Sequence, residues 1–304
     1  MGKNVLIIGG TRFLGRHLVA ALLAAGHVPT LFNSGNHRAD APPSVEQIHG
    51  DRERDLQRLG DRTWDAVVDT CGFYPKSLEI SARHLRARTQ QYVFISTVSA
   101  LDLSQPDCTE NTPRLPMPEG ASRTEMIPES YGPLKGLCED VVASTFRNRA
   151  LIVRPGLIVG PYDPSDRFTY WPVRMARGGT VLAPVGPDIF VQLIDARDLA
   201  TWIVLQIEHR TTGAINVTGP PHTHTLGSVL AACAKEANVT AQIEWASEDF
   251  LAQQEIGDWI DLPLWIASKT KMPGLNTVDI SRALATGLRL RTLRQTAHDT
   301  LMWA

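Results

Sequence analysis

The sequence predicts an α/β protein with a doubly wound parallel sheet and a smaller C-terminal lobe. Short apolar runs alternate with helical stretches through the first half of the chain. The runs are continuously apolar, which is typical of strands that helices cover on both faces. A glycine-rich turn, GGTRFLG at residues 9–15, separates the first apolar run from the first helical stretch. In a sheet of this kind, ligands bind at the carboxyl ends of the strands.

Each predicted element follows from its local pattern of apolar residues and from the residues that end it. The predicted strands are 5–8, 28–32, 66–70, 92–96, 150–153 and 192–194. The predicted helices are 16–25, 78–87, 134–146, 199–207 and 227–237. Thr225 is the expected N-cap of the last of these helices. From Trp245 onward the sequence predicts short helices and loops, which hold Trp245, Trp259, Trp265 and Trp303.

Composition and charge exclude several classes of protein. The 304 residues carry a formal net charge of −2, so we expect neither nucleic acid nor a membrane surface as the main partner. The chain shows no leader and no apolar run long enough to span a membrane, and its four scattered cysteines suggest a reduced, cytoplasmic protein. The segment HTHT holds two histidines without further ligands, so no metal site is predicted.

The turn GGTRFLG is the strongest candidate for a ligand site. Gly9 permits the tight turn out of the strand, and Gly15 lets the following helix pack closely on the sheet. The helix N-terminus then offers N–H groups to a phosphate, as in the dinucleotide-binding loop of a Rossmann-type fold. Asn33 stands where an NAD-selective fold has a carboxylate, and Arg12 and Arg38 could neutralise a 2′-phosphate. The expected cofactor is therefore NADP, as a weak preference, or NAD.

Two domains are predicted from this organisation. Residues 1–160, with a return segment at about 188–220, form the dinucleotide-binding core, and residues 161–304 form a smaller substrate-binding lobe.

The segment from residue 104 to residue 130 contains five prolines and no regular period, so it is expected to be a lid, a binding loop or a disordered stretch. The cluster of Phe168, Tyr170 and Trp171 suits an apolar or aromatic small molecule, although such residues are more often core.

Tyr131 and Lys135 are the candidate catalytic pair. Four residues apart at the start of a helical stretch, they project from one face. A nearby ammonium group favours the phenolate, so Tyr131 could exchange a proton with a substrate oxygen during hydride transfer. Thr97 and Ser96 end the preceding strand, and Thr97 is favoured as the hydroxyl that orients the substrate oxygen.

At these motifs the chain resembles the extended, atypical short-chain dehydrogenase/reductases of the NAD-dependent epimerase/dehydratase family. The resemblance rests on GGTRFLG, AVVDTCGF, YVFISTVSAL, YGPLK and VRPGLIVGP, and it covers nearly the whole chain. It implies a bound nicotinamide nucleotide, with Thr97, Tyr131 and Lys135 as the catalytic residues. The implied cofactor contacts are Gly9, Thr11, Arg12, Phe13, Leu14, Asn33, Ser34, Arg38, Asp51, Arg52, Thr70, Cys71, Gly72, Ser96, Tyr131, Lys135, Pro155, Leu157 and Ile158. A homodimer is a further family expectation.

Two departures from the family pattern bear on function. Arg12 replaces the middle glycine of the phosphate loop, a variant of atypical members, some of which resemble plastid RNA-binding relatives. Val191 stands where nucleotide-sugar enzymes carry an arginine for the substrate diphosphate. The leading hypothesis is an NAD(P)-dependent oxidoreductase acting on a carbonyl or alcohol of a small metabolite. A sugar-nucleotide epimerase or dehydratase, and a non-catalytic cofactor-sensing or RNA-associated protein, are the alternatives.

Overall fold

The computed structural model describes residues 2–36, 41–270 and 272–304, and its centre is a seven-stranded parallel sheet. The strands of this sheet are β1 (Asn4–Ile8), β2 (Val28–Asn33), β3 (Glu46–His49), β4 (Ala66–Asp69), β5 (Tyr92–Ile95), β6 (Ala150–Pro155) and β11 (Gly213–Val217), in the order β11-β6-β5-β4-β1-β2-β3. The predicted α/β fold is confirmed. The sequence reading missed β3, a polar edge strand, and placed β11 only within the return segment.

Three two-stranded pairs lie outside this sheet. They join β7 (Leu157–Val159) with β10 (Leu193–Asp195), β8 (Gly179–Pro184) with β13 (Ala241–Ala246), and β9 (Phe190–Val191) with β12 (His224–Thr225). Trp245 therefore lies in a strand, and the expectation of helices and loops there was wrong. The segment AQIEWA alternates apolar and polar residues, which is a strand signal that the sequence reading overlooked.

The helices cover both faces of the sheet. They are α1 (Leu14–Ala24), α2 (Pro75–Leu85), α3 (Tyr131–Phe146), α4 (Tyr170–Ala176), α5 (Ala196–His209), α6 (Leu226–Ala237), α7 (Glu248–Gln253), α8 (Ser281–Ala285) and α9 (Leu293–Trp303). Along β1, Val5 and Ile7 pack with residues of α1 and α5, whereas Leu6 and Ile8 pack with residues of α2 and α3. Successive side chains of a strand point to opposite faces, so a continuously apolar strand requires helices on both.

A second core lies in the C-terminal half of the chain. Phe168 and Trp171 are fully buried there, among residues of α4, α6, β8 and α9. Val191 and Leu193 of the predicted return segment belong to the same cluster, so this lobe packs directly on that segment. The division at residue 160 stays a prediction. The expected cap of α6 is present, because the Thr225 side chain accepts a hydrogen bond from the Ser228 amide at 3.2 Å.

The proline-rich segment 104–130 is anchored on the core. The Arg114 guanidinium donates to the Gly136 carbonyl at 2.6 Å and to Asp140 of α3 at 2.6 Å. The Glu110 carboxylate accepts from the Asn216 amide at 3.0 Å, next to the end of β11. The segment therefore forms one wall of the space above the sheet. Among the described residues, no helix is long and apolar enough to cross a membrane.

Candidate active site

A cleft of about 2100 Å³ opens at the carboxyl ends of β1, β4, β5 and β6. Most of the predicted site residues line it: Gly9, Thr11, Arg12, Phe13, Leu14, Asn33, Ser34, Asp51, Arg52, Thr70, Cys71, Ser96, Thr97, Tyr131, Lys135, Pro155, Leu157 and Ile158. Gly72 is not among the lining residues, and its carbonyl instead accepts a hydrogen bond from Lys135. Arg38 lies outside the described residues.

The turn between β1 and α1 has the close packing that its glycines predict. Gly9 and Gly10 have φ angles of 93° and 80°, which are strained for residues with a side chain. A Cβ atom on Gly15 would lie 2.4 Å from the Gly10 Cα, so α1 can approach the turn only with a glycine there. Among the described residues, no side chain caps the N-terminus of α1, and the first turn of the helix holds no acidic residue. The partial positive charge of this N-terminus therefore faces the cleft without a negative side chain beside it. This arrangement fits a phosphate group.

Asn33 ends β2 at the side of the cleft where the ribose is expected. Its side-chain oxygen accepts from the Gly35 amide at 2.9 Å and from the His49 ring at 3.0 Å. Its Nδ2 is buried and has no hydrogen-bond partner among the described residues. A buried amide without a partner costs free energy unless a ligand supplies an acceptor. Asn33 therefore offers a donor to a bound ribose.

Arg52 is turned into the protein. Its guanidinium donates to both oxygens of Asp69, at 3.1 and 2.6 Å, and to the Ser81 hydroxyl at 2.6 Å. Asp69 is fully buried and also accepts from the Tyr92 hydroxyl at 2.7 Å. The resemblance implied a cofactor contact for Arg52; the residue lines the cleft, and the ion pair with Asp69 holds its charge at the floor of the cleft. The sequence reading missed Asp69, although a carboxylate that ends a buried strand is a signal of such a pair.

Thr70 and Cys71 follow this strand and close the floor of the cleft. The Thr70 hydroxyl donates to the Ile8 carbonyl at 2.9 Å and accepts from the Gly10 amide at 3.3 Å. These bonds fix the turn at residues 9–15, which we call the phosphate turn. Burial, helped by the charge of Asp69, raises the pKa of the Cys71 thiol to about 11. A thiol with this pKa stays protonated near neutral pH, which agrees with a packing role rather than a nucleophilic one.

Lys135 lies one helical turn after Tyr131 and is 2% exposed. Its Nζ donates to the carbonyls of Gly72 at 2.8 Å and Ile95 at 2.6 Å, and it lies 4.2 Å from the centre of the Phe94 ring. Burial lowers the pKa of Lys135 to about 8. The ammonium form therefore still predominates at neutral pH, held by two carbonyls and an aromatic face.

Tyr131 begins α3, and its phenol lies beside the Thr97 hydroxyl. Burial raises the pKa of Tyr131 above its usual value, and the Thr97 hydroxyl and the charge of Arg167 oppose this shift. The sequence predicted that Lys135 favours the phenolate, whereas burial, the Thr97 hydroxyl and the charge of Arg167 are what shift the pKa of Tyr131. Tyr131 is therefore protonated near neutral pH.

Ser96 is turned away from this pair. Its hydroxyl donates to Glu139 of α3 at 2.6 Å, and the Glu139 carboxylate is held by Arg154 at 2.9 and 2.7 Å. Thr97, the next residue, instead accepts from the Ser99 amide at 3.1 Å and contacts Tyr131. Ser96 and Thr97 follow β5, and the extended backbone of Thr97 turns its side chain away from that of Ser96, so that of the two only Thr97 presents its hydroxyl beside the phenol. The sequence reading missed both Glu139 and Arg154.

The far end of the cleft is mostly apolar. Val191 is 3% exposed and lines the cleft together with Tyr170 and Trp259. Phe168 and Trp171, which the sequence also offered for a ligand, belong to the buried core and do not line the cleft.

Comparison with known proteins identifies the family. The model of the NAD dependent epimerase/dehydratase family matches residues 5–218. The chain belongs to this family. The match spans the turn at residues 9–15, Tyr131, Lys135 and all but the first residue of the central sheet.

Solved structures of this family share the fold over the full chain. The enzyme WbmH of Bordetella bronchiseptica, in complex with NAD⁺, superposes with a TM-score of 0.73 at 16% identity, covering 100% of this chain and 98% of that one. UDP-glucuronic acid 4-epimerase from Bacillus cereus, in complex with NAD, gives a TM-score of 0.71 at 15% identity, covering 99% and 96%. MoeE5, in complex with UDP-glucose and NAD, gives 0.69 at 16% identity, covering 99% and 98%. At these identities the likeness shows the fold alone.

A curated relative has a different kind of name. The chloroplast stem-loop binding protein of 41 kDa b from Arabidopsis thaliana is 26% identical over 260 residues, which are 77% of this chain. The match spans 63% of the length of that relative.

Proposed function

We propose that this protein binds an NAD-type dinucleotide in the cleft and transfers hydride to or from a carbonyl or alcohol carbon of a small metabolite. The observation that carries the proposal is the meeting of Thr97, Tyr131 and Lys135 in the cleft that also holds the uncapped N-terminus of α1. An acid/base hydroxyl, a second hydroxyl and a buried ammonium group beside a phosphate-binding turn are the parts that this chemistry needs.

The residues present fit such a cofactor. The turn at Gly9 and the N-terminus of α1 would hold the pyrophosphate, and the unpartnered Nδ2 of Asn33 would donate to the ribose near the adenine. Lys135 has one N–H beyond the two that it gives to carbonyls, and this proton would reach the nicotinamide ribose. When bound, the oxidised cofactor accepts hydride and the reduced cofactor donates it.

Tyr131 and Thr97 handle the substrate oxygen. In the reductive direction, the Tyr131 hydroxyl donates its proton to the oxygen on which negative charge develops, and the Thr97 hydroxyl donates a second hydrogen bond. The raised pKa of Tyr131 supplies the protonated phenol that this direction requires. In the oxidative direction Tyr131 must first lose that proton, and the charge of Arg167 favours the phenolate.

The choice between NAD and NADP is open to a direct measurement. Arg12 and Asn33 line the same cleft, and β2 ends in Asn33 and not in a carboxylate that would repel a 2′-phosphate. WbmH, the Bacillus epimerase and MoeE5 were all crystallised with NAD, so they give no support to the NADP preference. Dissociation constants for NAD⁺ and NADP⁺, measured by calorimetry, decide between the two.

The role of Tyr131 is tested by Tyr131→Phe, with Tyr74→Phe outside the cleft as the control. Reduction of a panel of ketones and aldehydes is followed through the absorbance of the reduced cofactor. We expect Tyr131→Phe to slow turnover by about 10²- to 10⁴-fold, because it removes the acid/base hydroxyl. Cofactor affinity should stay within about twofold, because the phenol does not hold the pyrophosphate. Equal loss of turnover and affinity would contradict the proposed role.

A sugar-nucleotide epimerase is the second candidate, since the structural neighbours include such an enzyme and one bound to UDP-glucose. The same residues would oxidise and then reduce the sugar, so the cofactor would end unchanged. The apolar side chain of Val191 speaks against a diphosphate substrate. Purified protein that retains NAD and epimerises UDP-glucose without a net change in cofactor absorbance would favour this candidate.

A non-catalytic RNA-associated protein is the third candidate, because the Arabidopsis relative is named for stem-loop binding. The net charge of −2 does not favour a nucleic-acid surface. RNA binding that weakens steeply with salt, in a protein without hydride transfer, would support it.

A further inference from the structure

Arg167 is the cation at the substrate end of the cleft. Among the described residues, the cleft is lined by four arginines, which are Arg12, Arg52, Arg58 and Arg167. Arg12 lies in the phosphate turn, and Arg52 is bound to Asp69. The Arg58 guanidinium donates to the His49 carbonyl at 2.9 Å, at the end of the cleft near β3. Arg167 differs from these three in position: it follows β7 in the chain and lines the cleft together with Tyr170, Val191 and Trp259.

The guanidinium of Arg167 lies against an aromatic ring. Arg167 is exposed, and its Cζ is 5.1 Å from the centre of the Trp259 ring, within the distance of a cation–π interaction. Within the described residues, Arg167 forms no ion pair or hydrogen bond through this group, so its N–H donors are available to a ligand.

Three carboxylates, Asp163, Asp166 and Asp258, line the same part of the cleft, and none forms an ion pair with Arg167 among the described residues. Asp163 is 4% exposed: one of its oxygens accepts from the amide and hydroxyl of Ser165, at 2.9 and 2.7 Å, and the other is buried without a hydrogen-bond partner among the described residues. Burial raises the pKa of Asp163, and the charge of Arg167 opposes this shift. Asp258 accepts from the Ala267 amide at 2.8 Å. Asp166 is exposed and next to Arg167 in sequence, but no ion pair joins the two. The positive charge of Arg167 is therefore not neutralised by a bound carboxylate.

Arg167 and Tyr131 line the same cleft, and the charge of Arg167 acts to lower the pKa of the Tyr131 phenol. Tyr170, Val191, Trp259 and Met272 line the same part of the cleft and present apolar or aromatic surface. A ligand that fits both the Arg167 cation and this apolar surface carries an anionic group on an apolar or aromatic body. The diphosphate of a sugar nucleotide would place two charges against a wall that supplies one cation.

We propose that Arg167 binds a single anionic group, a carboxylate or a phosphate monoester, on a substrate whose aromatic or apolar body lies against the wall formed by Tyr170, Val191, Trp259 and Met272. This inference rests on the proposed function, because it places the substrate beside Tyr131. Arg167 is then a specificity-determining residue, and its planar guanidinium suits both anions through paired hydrogen bonds.

The test uses three matched ketones: 4-acetylbenzoate, its methyl ester and 4-acetylphenyl phosphate. Binding to the NAD⁺ complex is measured by calorimetry, where a ketone cannot react with the oxidised cofactor, and turnover is measured separately with NADH. The variants are Arg167→Gln, Arg167→Lys and, as a control, Arg177→Gln, which changes an exposed arginine outside the cleft. Thermal unfolding confirms that each variant is folded.

We expect the wild type to bind one of the two anions about tenfold more tightly than the ester, because a charged hydrogen bond adds roughly this factor. Arg167→Gln should abolish the difference, Arg167→Lys should keep part of it, and Arg177→Gln should leave it unchanged. The anion that binds more tightly shows whether the site takes a carboxylate or a phosphate monoester.

Equal binding of all three ketones by the wild type, or no binding of any, would overturn the proposal. So would an unchanged preference in Arg167→Gln. If the anion preference holds but NADH reduces none of the ketones, the proposed oxidoreductase function fails while the anion site stands. If ketones are reduced without an anion preference, the anion site fails while the proposed oxidoreductase function stands.

Discussion

Gly132→Ala is the sharpest test of how the catalytic groups are positioned. A Cβ atom on Gly132 would lie 1.9 Å from the Ser99 carbonyl oxygen and 2.8 Å from its carbon. Both are backbone atoms that cannot rotate away, so α3 must move by at least about 1.1 Å to bring the 1.9 Å separation to 3.0 Å, the shortest that Cβ atoms show. Ser99 belongs to the short 3-10 helix Val98–Ala100, which follows Thr97 directly. The shift therefore separates Tyr131 from Thr97.

The expected consequences are a loss of stability and a larger loss of activity. Overpacking of this kind costs about 1–3 kcal/mol in the free energy of unfolding. A displacement of about 1 Å in a catalytic group costs about 10²-fold in turnover. Urea unfolding followed by circular dichroism measures the first, and ketone reduction with NADH measures the second. Affinity for NAD⁺ should fall much less than turnover, because the phosphate turn lies on another element and only the Lys135 contact moves with α3.

Gly136→Ala is the matched control within the same helix. Its Cβ would contact only the Arg114 Cδ, at 3.6 Å, which is an ordinary distance. Replacement of a helical glycine by alanine then stabilises the protein by roughly 0.5–1 kcal/mol. If Gly132→Ala matched Gly136→Ala in stability and in turnover, the packing of α3 against the 3-10 helix would not position Tyr131, and the reasoning would be wrong.

Three further predictions concern the floor and the phosphate turn of the cleft. Arg52→Met should lower the free energy of unfolding by about 3 kcal/mol near neutral pH, because it leaves the buried Asp69 carboxylate without its counter-charge. Burial raises the pKa of Asp69, but the ion pair outweighs this and leaves it lowered, so the pair stabilises the protein above the usual pKa of aspartate and not in acid. The gap between variant and wild type should therefore narrow as the pH falls, and a gap independent of pH in urea unfolding would be inconsistent with this. Cys71 is partly buried and lines the cleft, but its pKa of about 11 leaves little thiolate, so iodoacetamide should label it slowly near pH 8; rapid labelling detected by mass spectrometry would contradict the raised pKa. Gly15→Ala should weaken NAD⁺ binding by at least about tenfold in calorimetry, because its Cβ would push α1 from the turn, and unchanged affinity would argue against a phosphate site there.

Local signals in the sequence predicted most of the central sheet and the helices on both of its faces. Continuous apolar runs such as AVVD and YVFI have no polar face, so they form buried parallel strands wherever they lie in the chain. Edge strand β3, EQIH, is half-exposed and polar, and only its pairing with β2 makes it a strand. Its hydrogen bonds join residues distant in sequence, which no local pattern records.

The sequence by itself determined the phosphate turn and the pairing of Tyr131 with Lys135, because glycine sterics and the helical period are local properties. The tertiary structure decided the direction of each charge and hydroxyl around them. It turned Arg52 toward Asp69 and Ser96 toward Glu139, and it left Thr97 beside the phenol. A buried charge takes the partner that packing brings within reach, and those partners come from other strands and helices.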